Sequence, residues 1–133
     1  MTYYFFNVDP LYKKICSNYD LFSFFKKIYL KNIDSIINEL QYSMFTKRIN
    51  QKLIHNDIND MFINNKYHIH SNLYHNYYNK YRDERFSLKV CNNMLIYNAN
   101  HINKLLIKSL SEYSFFVCNF KDQDYFWINE FSC

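Results

Sequence analysis

Glycine is absent from the 133-residue chain. Phosphate-cradling loops and dinucleotide-binding fingerprints need glycine where the backbone approaches the ligand closely. The nucleophile elbow of the GxSxG type needs it as well. The sequence therefore excludes P-loop, Rossmann-type and α/β-hydrolase-type chemistry. Asparagine is the next best residue for the left-handed position that ends many helices. We expect this role at several asparagine-containing breaks, namely Asn32, Asn64 with Asn65, Asn92 with Asn93, and Asn119.

Proline and alanine are almost absent too, since Pro10 and Ala99 are single occurrences, whereas Asn, Lys, Ile, Tyr and Phe are abundant. The scarce residues have GC-rich codons and the abundant ones have AT-rich codons. This contrast indicates an AT-rich genome, such as that of a reduced intracellular parasite, an endosymbiont, an organelle or a large virus. The 14 tyrosines and 13 phenylalanines are therefore a weaker sign of a binding surface than they would otherwise be.

The four cysteines, Cys16, Cys91, Cys118 and Cys133, include no CxxC pair. Structural zinc sites usually draw two ligands from within a few residues, so this spacing gives no sign of one. The first residues lack the basic and apolar regions of a secretory signal, and no segment approaches the roughly 20 apolar residues that span a bilayer. We expect a soluble protein in the cytoplasm, a reducing compartment, with unpaired cysteines.

The length of the chain predicts one small domain. A chain of 133 residues can form a single hydrophobic core but hardly two. No linker or internal repeat divides the sequence, so residues 1–133 are interpreted as one domain. The formal net charge of +4 permits contact with RNA or another acidic surface without requiring it.

The pattern of apolar residues predicts an α+β fold. Strands are predicted near residues 3–8, 86–91, 113–120 and 125–131, and the last two are expected to form a hairpin. Apolar residues at intervals of three or four predict a mostly helical middle over about residues 11–63, with the strongest signal over residues 33–49. Another helix is predicted over residues 94–110. Together these patterns predict a small sheet packed by helices.

Residues 64–85 make up the most unusual segment, which we interpret as a basic Tyr/His-rich loop or connection. Its positive charges can neutralise phosphates, while flat rings beside them can stack on bases. This combination is typical of an RNA-binding or RNA–protein surface. We therefore predict contact with nucleic acid or a partner through Lys66, Tyr67, His68, His70, Tyr74, His75, Tyr77, Tyr78, Lys80, Tyr81, Arg82 and Arg85.

Three of these residues, His68, His70 and His75, are also close enough in sequence for their imidazoles to bind zinc or another first-row metal. No thiol or carboxylate lies among them, and the nearest acids are Asp83 and Glu84. We therefore expect no metal and no other cofactor. The histidines are expected to face solvent or a partner.

No motif in the sequence singles out a nucleophile or a general base, so we expect a non-enzymatic protein. The sequence favours a protein that docks on a large RNA-containing assembly and contacts rRNA or other RNA and ribosomal proteins. A ribosome-associated accessory factor, including an inactivating or hibernation-type one, fits this description. One alternative is a regulator, viral or otherwise, whose amphipathic helices contact a host protein or a protein of a complex. The remaining alternative is a small enzyme whose site has no recognisable motif. No membrane partner is expected.

Overall fold

One antiparallel sheet organises the molecule, whose structure is a computed structural model describing residues 1–30 and 42–130. Its seven strands are β1 (Thr2–Asn7), β2 (His68–Ser71), β3 (Tyr74–Asn79), β4 (Glu84–Val90), β5 (Met94–Ala99), β6 (Phe115–Asn119) and β7 (Asp124–Trp127). They lie in the order β2-β3-β4-β5-β1-β6-β7. The first strand of the chain therefore joins a meander of four later strands to the final hairpin.

Helices connect and cover the strands. In the described residues they are α1 (Leu11–Ile15), α2 (Asn18–Leu30), α3 (Gln51–Met61), α4 (Lys104–Leu110) and a 3-10 helix (Ile128–Glu130), with a further helical turn at residues 42–45. Within the part of the chain that the structure describes, none of the helices has the length and apolar character needed to cross a membrane.

Asparagine caps the two helices that pack together on one side of the sheet. The Asn50 side chain accepts a hydrogen bond from the Leu53 backbone N–H at the start of α3, over 3.1 Å. Asn103 accepts one from Leu106 N–H at the start of α4, also over 3.1 Å. Asparagine is among the best residues at this position, where the first N–H groups of a helix lack partners. The abundant asparagine is thus used to begin helices.

The face of the sheet that α3 and α4 cover is called the inner face. Ile54 and Ile58 of α3 and Leu106 of α4 are fully buried there. Because successive side chains of a strand point to opposite faces, alternate residues of each strand meet these helices. The strands contribute to this core Tyr3, Phe5, Tyr77, Phe86, Leu88, Val90, Leu95, Tyr97, Ala99, Phe115 and Val117.

The opposite face of the sheet is called the outer face, and α2 covers it at the end formed by β1, β6 and β7. The rings of Phe6 and Phe25 are parallel there, with their centroids 4.0 Å apart. The Trp127 indole N–H donates to the side-chain oxygen of Asn18 over 3.0 Å. The outer face of β2–β4 differs, because its side chains are exposed. The two faces of these strands therefore have different environments.

The predicted architecture, a mostly helical middle with a small sheet, is wrong, because the sheet has seven antiparallel strands. Strands do lie near the four predicted segments, as β1, β4, β6 and β7. The sheet also contains β2 and β3, which come from the segment 64–85 that the sequence predicts to be a loop or connection. The helical signal over residues 33–49 falls mostly on residues outside those described.

Polar residues conceal the strand period of β3. Its side chains alternate strictly between exposed and buried, but the buried ones are His75, Tyr77 and Asn79. A search for alternating apolar residues does not count histidine and asparagine. Such a search therefore does not find β3, even though the alternation of its exposed and buried side chains is regular.

The helix predicted over residues 94–110 is wrong in its first half, because residues 94–99 form β5 and only Lys104–Leu110 is helical. Met94 and Leu95 fit the spacing of a strand. Taken together with the apolar residues of α4, they also fit the spacing of one long helix. In the structure Leu95, Tyr97 and Ala99 are buried at every second position. Pairing with β1 and β4 decides between the two patterns.

Left-handed backbone positions occur without glycine. Asn64, shortly after α3, has a φ of 64°, whereas the other described asparagines predicted for this role have no positive φ. Asn32 lies outside the described residues. Leu73 (φ 69°) lies between β2 and β3, and Asp83 (φ 51°) lies between β3 and β4. Asparagine and aspartate visit this region more readily than leucine does. The turns that align β2, β3 and β4 thus form in a chain that has no glycine.

Candidate nucleic-acid interface

The twelve residues predicted as a contact surface fall into three groups. His68, His70, His75 and Tyr77 lie on the inner face, since β2 and β3 pair His68 with Tyr77 and His70 with His75. Another group lies on the outer face or at its border: Tyr67, Tyr74, Tyr78 and Arg85. The rest lie at the ends of the strands and in the turn between β3 and β4: Lys66, Lys80, Tyr81 and Arg82. The segment therefore does not form one surface.

The outer face of β2–β5 carries exposed tyrosines. Tyr74 and Tyr78 are both on β3 and are 45% and 59% exposed, in contrast to the buried Tyr77 between them. Four residues of an extended strand separate their Cα atoms by about 13 Å. Ile69 of the neighbouring β2 is exposed on the same face. This part of the sheet offers separate flat rings to solvent.

Two cations of β4 lie beside these rings. Arg85 pairs directly with Tyr78 and Lys89 pairs directly with Tyr74 across the two strands. The Lys89 ammonium is 5.8 Å from the centre of the Tyr74 ring, within the range of a cation–π contact. Cross-strand neighbours on one face have Cβ atoms about 5 Å apart. Each exposed tyrosine therefore has a positive charge next to it.

The outer face of β2–β5 has no negative charge. The structure describes these strands completely, and the side chains on this face are Ile69, Ser71, Tyr74, Asn76, Tyr78, Arg85, Ser87, Lys89, Met94, Ile96 and Asn98. Between described residues, the ion pairs are Lys13 with Glu130 and Lys47 with Asp9, and neither includes a side chain of this face. Arg85 and Lys89 are consequently available to an anionic partner.

The histidines of the inner face form a cluster that includes His55 of α3, which the sequence did not single out. His68 Nε2 and His75 Nδ1 are 2.9 Å apart and share a hydrogen bond. The ring centre of His55 is 4.5 Å from that of His75 and 5.3 Å from that of His70. The side chains thus connect α3 to the β2–β3 hairpin.

Burial disfavours the charged form of three of these histidines, His55, His68 and His75. His75 is 0% exposed, and burial, followed by the nearby His55, His68 and His70, lowers its pKa to about 3. Burial also lowers the pKa of His55 and of His68, and His70 acts in the same direction on both. Buried imidazoles resist protonation because the charged form loses its hydration. At neutral pH the uncharged form is therefore favoured for His55, His68 and His75.

Metal chemistry gains no support from this cluster. Two buried nitrogens, His55 Nδ1 and His75 Nε2, have no hydrogen-bond partner among the described residues. Nevertheless, no three His, Cys, Asp or Glu side chains in residues 1–30 and 42–130 are arranged so that they could hold a metal ion. His75 does not face solvent or a partner as the sequence suggested, because it lies in the interior.

Two of the thiols that the structure describes, Cys91 and Cys118, are not activated for nucleophilic chemistry. Cys118 lies in the core of the outer face under α2, and burial raises its pKa. Burial also raises the pKa of Cys91, although Lys89 acts in the opposite direction. A reactive cysteine needs the opposite shift, because the thiolate is the nucleophile. These two cysteines therefore have the properties of structural residues.

One polar depression lies away from the outer face, between α3 and the end of α4. It has a volume of about 500 Å³ and is lined by Asp57, Asp60, Lys108, Glu112 and Tyr113 among others. The Tyr113 hydroxyl donates a hydrogen bond to Asp57 Oδ2. Burial, and then this hydrogen bond, raises the pKa of Tyr113. A tyrosine that holds its proton in this way connects the loop after α4 to α3.

Several residues of the outer face were missed by sequence reasoning. Lys89 and Asn76 were not among the predicted contacts, although they lie beside Tyr74 and Tyr78. The signal that could have found Lys89 is the alternation of β4, which places it on the same side as Arg85. Asn76 could be found only after β3 is recognised as a strand. His55 carries no signal, because its proximity to His75 depends on the tertiary fold.

Comparison with known proteins does not assign the chain to a family. No family model matches the sequence, and no curated protein is significantly similar to it. Function must therefore be inferred from the site.

Proposed function

We propose that this protein binds RNA through the outer face of β2–β5 and, through that contact, docks on a large RNA-containing assembly such as a ribosome. The observation that carries the proposal is the set of exposed Tyr74, Tyr78, Arg85 and Lys89 on a face without carboxylates. Cations neutralise phosphates, and exposed rings stack on bases. A sheet face that offers both is suited to bind a nucleic-acid strand.

A second observation, the burial of the apolar sides of α2 and α3, favours RNA over a protein partner that binds the amphipathic helices. The apolar side of α2 is buried against the sheet through Leu21, Phe22 and Phe25, and α3 buries Ile54 and Ile58. These apolar faces are thus already used within the chain. The proposal includes no catalytic step, and burial raises the pKa of two of the described thiols, those of Cys91 and Cys118.

The test is the affinity of the full chain for a fluorescently labelled single-stranded RNA of about 10 nucleotides, measured by fluorescence anisotropy at several salt concentrations. The double variant Arg85→Gln/Lys89→Gln removes two charges from the outer face. Because two phosphate contacts are lost, the slope of log Kobs against log salt should become shallower by about 1.4. The affinity at about 50 mM salt should fall at least about tenfold.

The matched control is Lys104→Gln/Lys108→Gln, which removes the same charge from exposed positions of α4. We expect this control to bind RNA nearly as the unaltered protein does. If the unaltered protein does not bind RNA at low salt, or if both double variants lose the same affinity, the proposal is contradicted.

A further inference from the structure

A depression on the outer face lies among the residues of the proposed interface. Its volume is about 310 Å³, at the lower end of the range of about 300–1,000 Å³ found for ligand pockets. Residues of four strands or their borders line it. Tyr67 and Tyr78 contribute aromatic rings, and the polar lining residues include Asn76, Ser87 and Asn98. A site of this size suits one planar group rather than a length of duplex.

The polar groups of the depression have free hydrogen-bonding capacity. The Asn98 amide nitrogen donates to Thr2 Oγ1 over 2.8 Å, which fixes the side chain and leaves its carbonyl oxygen as an acceptor. Asn76 is exposed in the middle of β3. Its amide offers a donor and an acceptor side by side, the arrangement that pairs with two atoms on the edge of a base. The depression can therefore hold a base by its edge as well as by its face.

Arg85 completes the site. It lines the depression and is exposed next to Tyr78, and among described residues it forms no ion pair. A guanidinium at the border of a base site can bind the phosphate that follows the base, and its planar fork suits phosphate oxygens. Stacking, edge recognition and phosphate binding are thus all available within a few neighbouring residues.

We propose that this depression binds one unpaired base of an RNA strand, with adenine preferred. Tyr78 supplies the stacking surface, Asn76 pairs with the base edge, and Arg85 binds the adjacent phosphate. An asparagine amide can form two hydrogen bonds with adenine, accepting from the N6 amino group and donating to N7. Bases within an A-form duplex are stacked and their edges lie in grooves, so a shallow site on a sheet receives only a base that is unpaired. This inference rests on the proposed RNA-binding function.

The experiment compares three labelled ligands of about 10 nucleotides or base pairs, namely oligo(A), oligo(U) and an RNA duplex, binding to the full chain. Oligo(A) should bind at least about tenfold more tightly than the duplex, because stacking on exposed rings requires unpaired bases. Asn76→Ala should weaken oligo(A) binding about fivefold or more, because a bidentate contact is lost. Its effect on oligo(U) should be smaller.

Two further variants separate recognition from folding. Asn76→Thr removes the amide, and threonine is a residue favoured in strands, so this variant should keep the fold of β3. It should show the same loss of oligo(A) binding as Asn76→Ala. Asn56→Ala changes an exposed asparagine of α3 and should leave all three affinities unchanged. If RNA binds but the duplex binds as tightly as oligo(A), or Asn76→Ala and Asn76→Thr bind oligo(A) normally, the base site is refuted while RNA binding stands. Absence of binding to all three ligands refutes both proposals.

Discussion

The inner and outer faces of β3 and β4 belong to the same strands but have opposite properties. On the inner face, Phe86 and Leu88 are 4% and 1% exposed and pack under α3. On the outer face, Tyr78 and Lys89 of the same two strands are exposed. An abundance of aromatic residues in a segment therefore says little about binding until the strand period assigns each ring to a face.

The comparison also assigns different functions to the rings on the two faces. Burial of an apolar ring on the inner face, such as that of Phe86, stabilises the fold by about 1.5–3 kcal/mol. Rings on the outer face contribute little to folding and remain available for a ligand. We expect substitutions on the inner face to change stability and substitutions on the outer face to change RNA affinity.

The largest expected effect is that of Phe86→Ala. The Phe86 ring centre is 5.3 Å from that of Tyr77, 5.5 Å from that of Tyr97 and 5.8 Å from that of Phe62. Its removal leaves a cavity, so the free energy of unfolding in urea should fall by about 3–5 kcal/mol. Ser87→Ala, the next residue on the outer face, should change it by less than about 0.5 kcal/mol. Equal effects of the two substitutions would contradict the assignment of faces.

A smaller effect is expected from acidification, which acts on the inner face through His75. The pKa of His75 is lowered by burial to about 3, whereas that of an unfolded histidine is about 6.5. Below pH 6.5 the unfolded chain therefore binds a proton that the folded chain does not. The stabilisation is complete above about pH 6.5 and is lost as the pH falls towards about 3.

Urea denaturation at about pH 7.5 and about pH 5.0 measures this loss, to which His75 should contribute about 2 kcal/mol. His75→Gln removes the titrating group, so the difference in unfolding free energy between the two pH values should shrink by this amount. His101→Gln, at an exposed position between β5 and α4, serves as the control and should keep the difference seen in the unaltered protein. A His75→Gln variant that loses as much stability at low pH as the control would refute the role of His75.

Part of the fold could be predicted from the sequence, because some segments carry an apolar period of their own. Phe86, Leu88 and Val90 alternate with polar residues, and a strand lies there. The extent of the sheet could not be predicted in this way. The buried positions of β3 are His75, Tyr77 and Asn79, and their burial depends on α3 and on neighbouring strands.

For the candidate site, the sequence identified the segment that contributes exposed side chains. It did not show which residues of that segment lie on each face of the sheet. Tyr74, Tyr78 and Arg85 were predicted as contacts and lie exposed on the outer face; their contact with RNA remains a prediction. His75 was placed in the same group, although it is buried. Sequence proximity could not separate these residues, because adjacent strand positions point in opposite directions.

Tyr77 and Tyr78 provide the most direct test, because they are consecutive residues that are 8% and 59% exposed. The measurement is the free energy of unfolding together with the affinity for oligo(A), for Tyr77→Leu and for Tyr78→Leu. Tyr77→Leu should lower stability by about 1–3 kcal/mol and leave the affinity nearly unchanged. Tyr78→Leu should weaken RNA binding about fivefold or more and change stability by less than about 0.5 kcal/mol. Unchanged RNA binding by Tyr78→Leu, or a loss of the same property in both variants, would contradict the separation of the two faces.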